Sequence, residues 1–359
     1  MNNLSIAIVG VGLIGQAHIA AALACPGITL AALVDPASSA QDQAKLMNVA
    51  WFASLDDLLA MQRPHQKPHQ RPQGIVLATP NALHEPQALQ CITAGVPILL
   101  EKPMAPTVKE AQRIVDWAEQ KGTPVLIGHH RAHSPIMQTA CEAVQSGKLG
   151  RIVAVQGSAT FYKPDVYFEQ GQWRRQKGGG PILINMIHEV HNLRMLCGEI
   201  KAVQAMQSHA VRGFAVEDTV AISFQFESGA LGTFMLSDTA ASAKSWEQTS
   251  QENIAYPSYA DEDCYTVSGT QGTLSIPTMR MKSYAGVEDR SWWKPFQVSQ
   301  LQLDRGDPIQ LQMAHFAQVI RGECAPRVSA RDGLQNLRVI EAILKAAQSG
   351  TTITLATNI

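Results

Sequence analysis

The sequence predicts two domains of different class: an α/β domain built on a parallel sheet, then an α+β domain whose strands are mostly antiparallel. Three observations predict this. Up to about residue 126, short apolar runs alternate with helical patterns, the rhythm of a parallel sheet covered on both faces. Beyond about residue 150, strand patterns follow one another through short turns with few helices between them, as antiparallel sheets do. The length, 359 residues, exceeds one ordinary core.

In order, residues 5–9 form an apolar run that ends in glycines, and residues 13–24 read as a small-residue helix. Residues 28–35, 74–78, 96–100 and 125–127 are further apolar runs, with helical patterns at 85–94 and 108–121. Residues 62–73, QRPHQKPHQRPQ, break the rhythm with nothing apolar to bury and read as a solvated loop. Its His65 and His69 are four apart, but the neighbouring prolines forbid the helix that would put both on one face, so no metal site is expected. In the second half, residues 151–159, 201–209, 219–226, 230–237, 265–268 and 273–276 read as strands. Residues 331–348 make an amphipathic helix with Leu334, Leu337, Ile340, Ile343 and Leu344 on its apolar side. The first domain is placed at 1–126 and the second at 127–359, the C-terminal helix packing back on the first domain.

Composition narrows the function classes. The formal net charge is -1 and no Lys/Arg cluster stands out, so no nucleic-acid partner is expected. No apolar run reaches the roughly 18 residues of a membrane span. The start, MNNLSIAIVG, runs straight into a strand without a basic leader or cleavage site, so a cytoplasmic location is expected. Cys25, Cys91, Cys141, Cys197, Cys264 and Cys324 are scattered, with neither C-x-x-C nor zinc spacing, which suits thiols in a reducing compartment.

The chemistry begins at Gly10-Val11-Gly12-Leu13-Ile14-Gly15, a G-x-G-x-x-G run that follows a strand and opens a helix. Gly10 permits the tight turn, Gly12 lets the backbone approach a pyrophosphate, and Gly15 lets the helix pack on the strand. The helix N-terminus offers N–H groups and partial positive charge to phosphates. Asp35 ends the second strand, 20 residues beyond Gly15, where a carboxylate accepts hydrogen bonds from the adenosine ribose. The competing role for Asp35 is a turn residue before Pro36. Its charge repels a 2′-phosphate and no Arg follows closely, so NAD is expected in preference to NADP.

Three further segments complete a pattern: Ala78-Thr79-Pro80-Asn81-Ala82-Leu83-His84, then Glu101-Lys102-Pro103, then Gly178-Gly179-Gly180-Pro181 with the helix that carries His188. Together with the glycine loop and residues 265–274, YTVSGTQGTL, the chain resembles the glucose-fructose oxidoreductase, inositol dehydrogenase and rhizopine-catabolism (Gfo/Idh/MocA) family over most of its length. The resemblance implies an N-terminal Rossmann domain and an α+β C-terminal domain with an open, mostly antiparallel sheet, its exposed face making a homodimer or homotetramer contact. It implies hydride exchange with a secondary alcohol or carbonyl of a sugar, polyol or related ring compound. Two other readings keep the same domains: a redox-neutral NAD-dependent glycosidase, and a non-catalytic dinucleotide-sensing regulator.

Alcohol oxidation needs a hydride acceptor, a base and a group that stabilises developing negative charge. Lys102 follows a buried strand at the carboxyl end of the sheet, where ligands of such sheets bind, and its ammonium suits the reacting oxygen. The resemblance makes it the active-site lysine, with Glu101 holding local geometry and a cis bond expected before Pro103. His188 lies on a helix started by Pro181, where Asn185, His188 and Asn192 share one face. Its imidazole suits a general base. The family's carboxylate four residues before this histidine is Ile184 here, with Asn185 beside it as a substitute substrate ligand, and the position three residues on is His191. The resemblance further puts Leu13, Ile14, Thr79, Pro80, Asn81, His84, Glu101 and Lys102 against the cofactor, although His84 reads equally as a packed helix-start residue. Of His129, His130 and Arg131, which follow another strand, one or more contacts substrate and at least one is structural. Tyr162, Trp173 and Arg174 form a far pocket wall, or else an ordinary loop. Glu217-Asp218 reads as a solvated turn.

Overall fold

A computed structural model describes residues 3–60 and 72–356. The chain divides into two compact units, Met1–His133 with Asp307–Leu337, and Ser134–Gly306 with Arg338–Ile359. The first unit therefore runs past the expected boundary at 126 and takes in a second, distant stretch of chain. The expected loop at 62–73, with His65 and His69, falls almost wholly outside the described residues. At its described end, Gln73 already pairs with Ser5 through backbone and side chain.

The first unit holds a six-stranded sheet in the order β3-β2-β1-β4-β5-β6. Its strands are β1 (Leu4–Val9), β2 (Ile28–Val34), β3 (Ala50–Phe52), β4 (Gly74–Leu77), β5 (Ile98–Leu100) and β6 (Val125–Ile127). All pairings are parallel. β1, β4, β5 and β6 are buried along their whole length, which is why they read as continuous apolar runs rather than as alternation. The order reverses between β1 and β4, and ligands of open α/β sheets bind at such a switch point. The glycine loop leaves β1 there, and the Thr79 segment leaves β4. From the distant stretch, the helix Pro308–Ile320 reaches Gly74, where an added Cβ would lie 2.4 Å from Ile320 Cδ1. Val328 O accepts the Ile127 N–H at 2.9 Å.

The second unit holds a nine-stranded sheet in the order β14-β13-β12-β11-β7-β10-β9-β8-β15. Its strands are β7 (Ile152–Thr160), β8 (Ile200–Ser208), β9 (Thr219–Phe226), β10 (Leu231–Ser237), β11 (Tyr265–Gly269), β12 (Gly272–Ile276), β13 (Arg280–Ser283), β14 (Gln297–Gln300) and β15 (Ile353–Thr354). Only β7 and β10 pair in parallel; the other neighbours are antiparallel. Alternate residues such as Ala205, Ile222, Phe224, Phe234 and Leu236 join a core with the helices Pro135–Gln145 and Met186–Cys197. On the other face Met206, Ala221 and Met235 lie in one register row, with Met206 and Met235 exposed. Among the described residues, no helix is long and apolar enough to cross a membrane.

Two expectations fail here. The helix from Pro181 is two pieces, Pro181–Ile184 and Met186–Cys197, with Asn185 between them at φ −104° and ψ −49°. Glu217-Asp218 is not a solvated turn: the two are 8% and 1% exposed. Glu217 Oε1 accepts the Ile182 N–H at 2.8 Å, and Asp218 Oδ2 accepts the N–H groups of Val211 and Arg212 at 3.0 Å. Both carboxylates serve backbone donors that neither helix nor ladder satisfies.

Candidate active site

On the first unit, the glycine loop and the β4 loop touch at the switch point. Gly10 has φ +89°, and a Cβ on it would lie 2.6 Å from Ala78 O. A Cβ on Gly15 would lie 2.0 Å from Gly10 O, so the helix Leu13–Ala24 packs against the turn itself. Gly12 differs: a Cβ there meets no protein atom within 4 Å. Gly12 caps this helix without any side-chain cap, so the first N–H groups are left for water or an anion. Leu13 is 92% exposed beside it, and Ile14 is half-buried.

Asp35 stands at the rim of this loop. Its Oδ2 accepts the Val11 N–H and its Oδ1 the Ala37 N–H, both at 2.9 Å. Each oxygen keeps a lone pair, so a fixed carboxylate with spare acceptor capacity lies next to an uncapped helix start. These residues fit a dinucleotide. The residues that follow, Pro36 to Ser39, are exposed and carry no cation.

Lys102 leaves β5 at the carboxyl edge, half-buried, and the Lys102–Pro103 bond is cis. Its N–H donates to Glu101 Oε2 at 3.1 Å. Glu101 Oε1 meets His18 Nε2, on the glycine-loop helix, at 2.8 Å, and Glu101 is 5% exposed. Burial raises the Glu101 carboxyl, but the His18 hydrogen bond and the charges of His18 and Lys102 more than offset it and hold it below the usual range. Glu101 thus ties the helix to the lysine strand; against expectation, it presents almost no surface to a cofactor. His18 was not singled out in the sequence, because its partner lies 83 residues away.

For His84 the packed alternative matches its surroundings. It is fully buried, with Nδ1 2.8 Å from Pro103 O and Nε2 2.8 Å from Thr79 O. The neutral ring has one N–H, so it donates to one of these two carbonyls at a time, and it lies buried between the two loops. Burial pushes its pKa down, against the two carbonyls and Glu101, which raise it. Thr79 and Asn81 are half-buried and Pro80 is exposed, all on the loop that His84 braces. Among residues 129–131, Arg131 is 3% exposed and offers a ligand almost nothing, whereas His130 is partly exposed. Desolvation, then the Arg131 charge, pushes His130 down to about 3, so its imidazole is neutral.

On the second unit, Asn185 and His188 lie at the break and in the first turn of the helix Met186–Cys197, and His188 is 7% exposed. Asn192 does not continue their face outward. It is fully buried and donates to Tyr265 Oη at 3.1 Å, while Tyr265 Oη donates to buried Glu189. Asn185 Oδ1 accepts from Lys163 Nζ at 2.7 Å, a residue the sequence reading missed because Lys163-Pro164 at a strand end carries no motif. Trp173 is 53% exposed. The Arg174 guanidinium stacks 3.8 Å from the Tyr167 ring centroid and donates to the Tyr167 carbonyl. Ile184 is half-buried and His191 buried. Among the described residues, no group of three or more His, Cys, Asp or Glu is placed to hold a metal ion.

This geometry can be set beside known proteins. Residues 4–129 match an oxidoreductase family's NAD-binding Rossmann fold, and residues 141–355 match that family's C-terminal alpha/beta domain. The 1,5-anhydro-D-fructose reductase of Ensifer adhaerens is 28% identical over 291 residues, 79% of this chain and 80% of its own. The rhizopine catabolism protein MocA of Rhizobium meliloti is 23% identical over 349 residues, 95% of this chain and 94% of its own. The crystal structure of the WlbA dehydrogenase of Bordetella pertussis, in complex with NADH and UDP-GlcNAcA, matches with a TM-score of 0.77 at 25% identity, over 99% of this chain and 100% of that one. With both domains of the family matched in order, the chain belongs to the Gfo/Idh/MocA family of NAD(P)-binding oxidoreductases.

Proposed function

We propose that the protein transfers a hydride between NAD, in preference to NADP, and a secondary alcohol or carbonyl of a sugar, polyol or related ring compound. The observation that carries this is the fixed Lys102 backbone: Lys102 N–H is held by Glu101, and Glu101 by His18 of the glycine-loop helix. The residues that would hold the dinucleotide are Gly10, Gly12, Leu13, Ile14, Gly15, Asp35, Thr79, Pro80 and Asn81. When bound, its nicotinamide supplies the hydride acceptor or donor. Lys102 stabilises negative charge on the reacting oxygen, and His188 takes or returns the proton. Asn185, Trp173, Arg174 and His130 contact substrate. The Asp35 carboxylate, with no cation following it, supports NAD. Names such as 1,5-anhydro-D-fructose reductase and inositol 2-dehydrogenase among the relatives support a cyclic sugar or polyol. The assembly is a homodimer or homotetramer, which light scattering measures.

The test is formation of reduced nicotinamide, followed by absorbance, across a panel of sugars, polyols and ring acids with NAD and then NADP. Turnover with NAD that is lost in Lys102→Ala and in His188→Ala is the expected result. Turnover with NADP alone overturns the reading of Asp35. Substituent elimination without net reduced cofactor moves the protein to the redox-neutral glycosidase, and tight NAD binding without any turnover moves it to the regulator.

A further inference from the structure

Asn185, at the break before the helix that carries His188, is held by a lysine. Lys163 sits just past β7 with its side chain 12% exposed. Its Nζ lies 2.7 Å from Asn185 Oδ1, 3.9 Å from Asp238 Oδ2, and 5.0 and 5.5 Å from the ring centroids of Tyr167 and Phe161. Arg212 closes the far side, donating to Asp238 Oδ1 at 2.9 Å and to the Lys163 carbonyl at 2.7 Å. Asp238 is thereby shared with a stronger partner, and Lys163 makes its short hydrogen bond to the amide.

An ammonium has three donors and no acceptor. Asn185 must therefore turn its carbonyl oxygen to Lys163, and its NH2 must point away. The flip ambiguity of an amide is removed by the partner's chemistry. Among the described residues no protein acceptor takes those N–H groups, and Asn185 is half-buried. We propose that Lys163 is a positioning residue that locks the Asn185 amide, so that Asn185 meets the substrate as a hydrogen-bond donor only. This rests on the reading of Asn185 as a substrate contact. A donor-only amide receives a hydroxyl, carbonyl or carboxylate oxygen and rejects a protonated amine. It also turns the Asn185 carbonyl oxygen toward Lys163 and away from the substrate, so His188 takes or returns its proton without a relay through Asn185.

The lock has a pH limit. Burial, then the charges of Arg212 and Arg174, lowers Lys163 to about 8 against Asp238 and Glu247, which raise it. Above that pH a neutral amine both donates and accepts, and the amide is free to turn.

The experiment is NMR of the full-length protein labelled with 15N asparagine, the Asn185 NH2 pair being assigned by its loss in Asn185→Asp. In the unmutated protein the pair is expected to shift with a midpoint near 8. Lys163→Arg keeps a cation at all accessible pH and should hold the pair at its neutral-pH position without that midpoint. Lys163→Met should displace the pair at every pH, with melting midpoints checking that both variants fold. No titration of the Asn185 pair in the unmutated protein, or the same titration in Lys163→Met, overturns the lock. Kinetics on the compound turned over in the panel test its use. KM should rise roughly three- to tenfold above the midpoint with kcat steady, and Lys163→Arg should abolish the rise. A titrating amide with a flat KM overturns the donor role toward substrate. Failure of the panel itself leaves the NMR result standing, so the two readings fail separately.

Discussion

Gly12 and Gly15 lie three residues apart in one loop and should respond in opposite ways to an added methyl group. In Gly15→Ala the Cβ would sit 2.0 Å from Gly10 O, an overlap that must be relieved by moving backbone and costs ~1–3 kcal/mol or more. In Gly12→Ala the Cβ meets no protein atom within 4 Å. We expect Gly12→Ala to melt like the unmutated chain yet to bind NADH at least tenfold more weakly by fluorescence titration. Gly15→Ala should lose both stability and binding. A Gly12→Ala protein that binds NADH normally would remove the dinucleotide from this loop. The same scale explains which site residues were legible. Gly10, Gly12, Gly15, Asp35 and Lys102 are set by local backbone geometry next to their own strands, so spacing carries them. His18, Lys163 and Asp238 act through partners far away in the chain, 83 residues for His18 and Glu101, and spacing says nothing of them. For His84 and Glu101 the motifs left both a cofactor contact and a packing role open, because they share those motifs with more exposed residues; both are buried.

At the scale of elements, the helix Met186–Cys197 carries His188 on one end and is anchored from below by Tyr265 of β11. The Tyr265 hydroxyl is fully buried, accepts from Asn192 and donates to Glu189. Tyr265→Phe should cost ~1–3 kcal/mol in urea unfolding, since it strips partners from buried polar groups. The aromatic ring stays, so the effect should come without loss of packing. A change under about 0.5 kcal/mol would mean that the hydroxyl is idle. The elements most legible in the sequence were those with one clear signal, such as the buried runs of β1, β4 and β6 and the helix Val108–Lys121, capped by Thr107 and ended by Gly122. β13 and β14 were not seen, because β14 is exposed along its whole length and shows no alternation. The helices Pro135–Gln145 and Pro308–Ile320 also went unread, although Ser134-Pro135 and Asp307-Pro308 are start signals that the structure uses as caps. The break at Asn185 was hidden, because an apolar stripe continues across it.

For the whole molecule, two histidines with lowered pKa values weaken the fold in acid. His84 and His130 are both held below the ordinary histidine value, His130 at about 3. Between that value and about 6.5 the unfolded chain binds a proton at position 130 that the folded chain refuses, and His84 acts in the same direction below about 6.5, so stability rises with pH and falls as acid is added. Glu101 acts in the same direction at lower pH: its folded carboxyl is depressed, so its contribution is present above about 4.3 and is lost as pH drops through the folded value. His130→Asn should flatten the dependence of the urea midpoint on pH between about 6.5 and 4, removing a slope of up to ~1.4 kcal/mol per pH unit. An unchanged slope would place the proton uptake elsewhere.

The first unit is not contiguous: Asp307–Leu337 belongs with Met1–His133. Its late stretch supplies Phe316 and Ile320 against Gly74, the Val328 carbonyl on β6, and Asn336 against His129 at 3.1 Å. A ribosome making this chain therefore finishes the glycine loop early and must hold it open-sided while the whole second unit, Ser134–Gly306, is synthesised. The first half of the chain alone therefore lacks part of the first unit's packing. A fragment ending at His133 should be poorly folded and should not retain NADH, and adding residues 307–337 through a short linker should restore both.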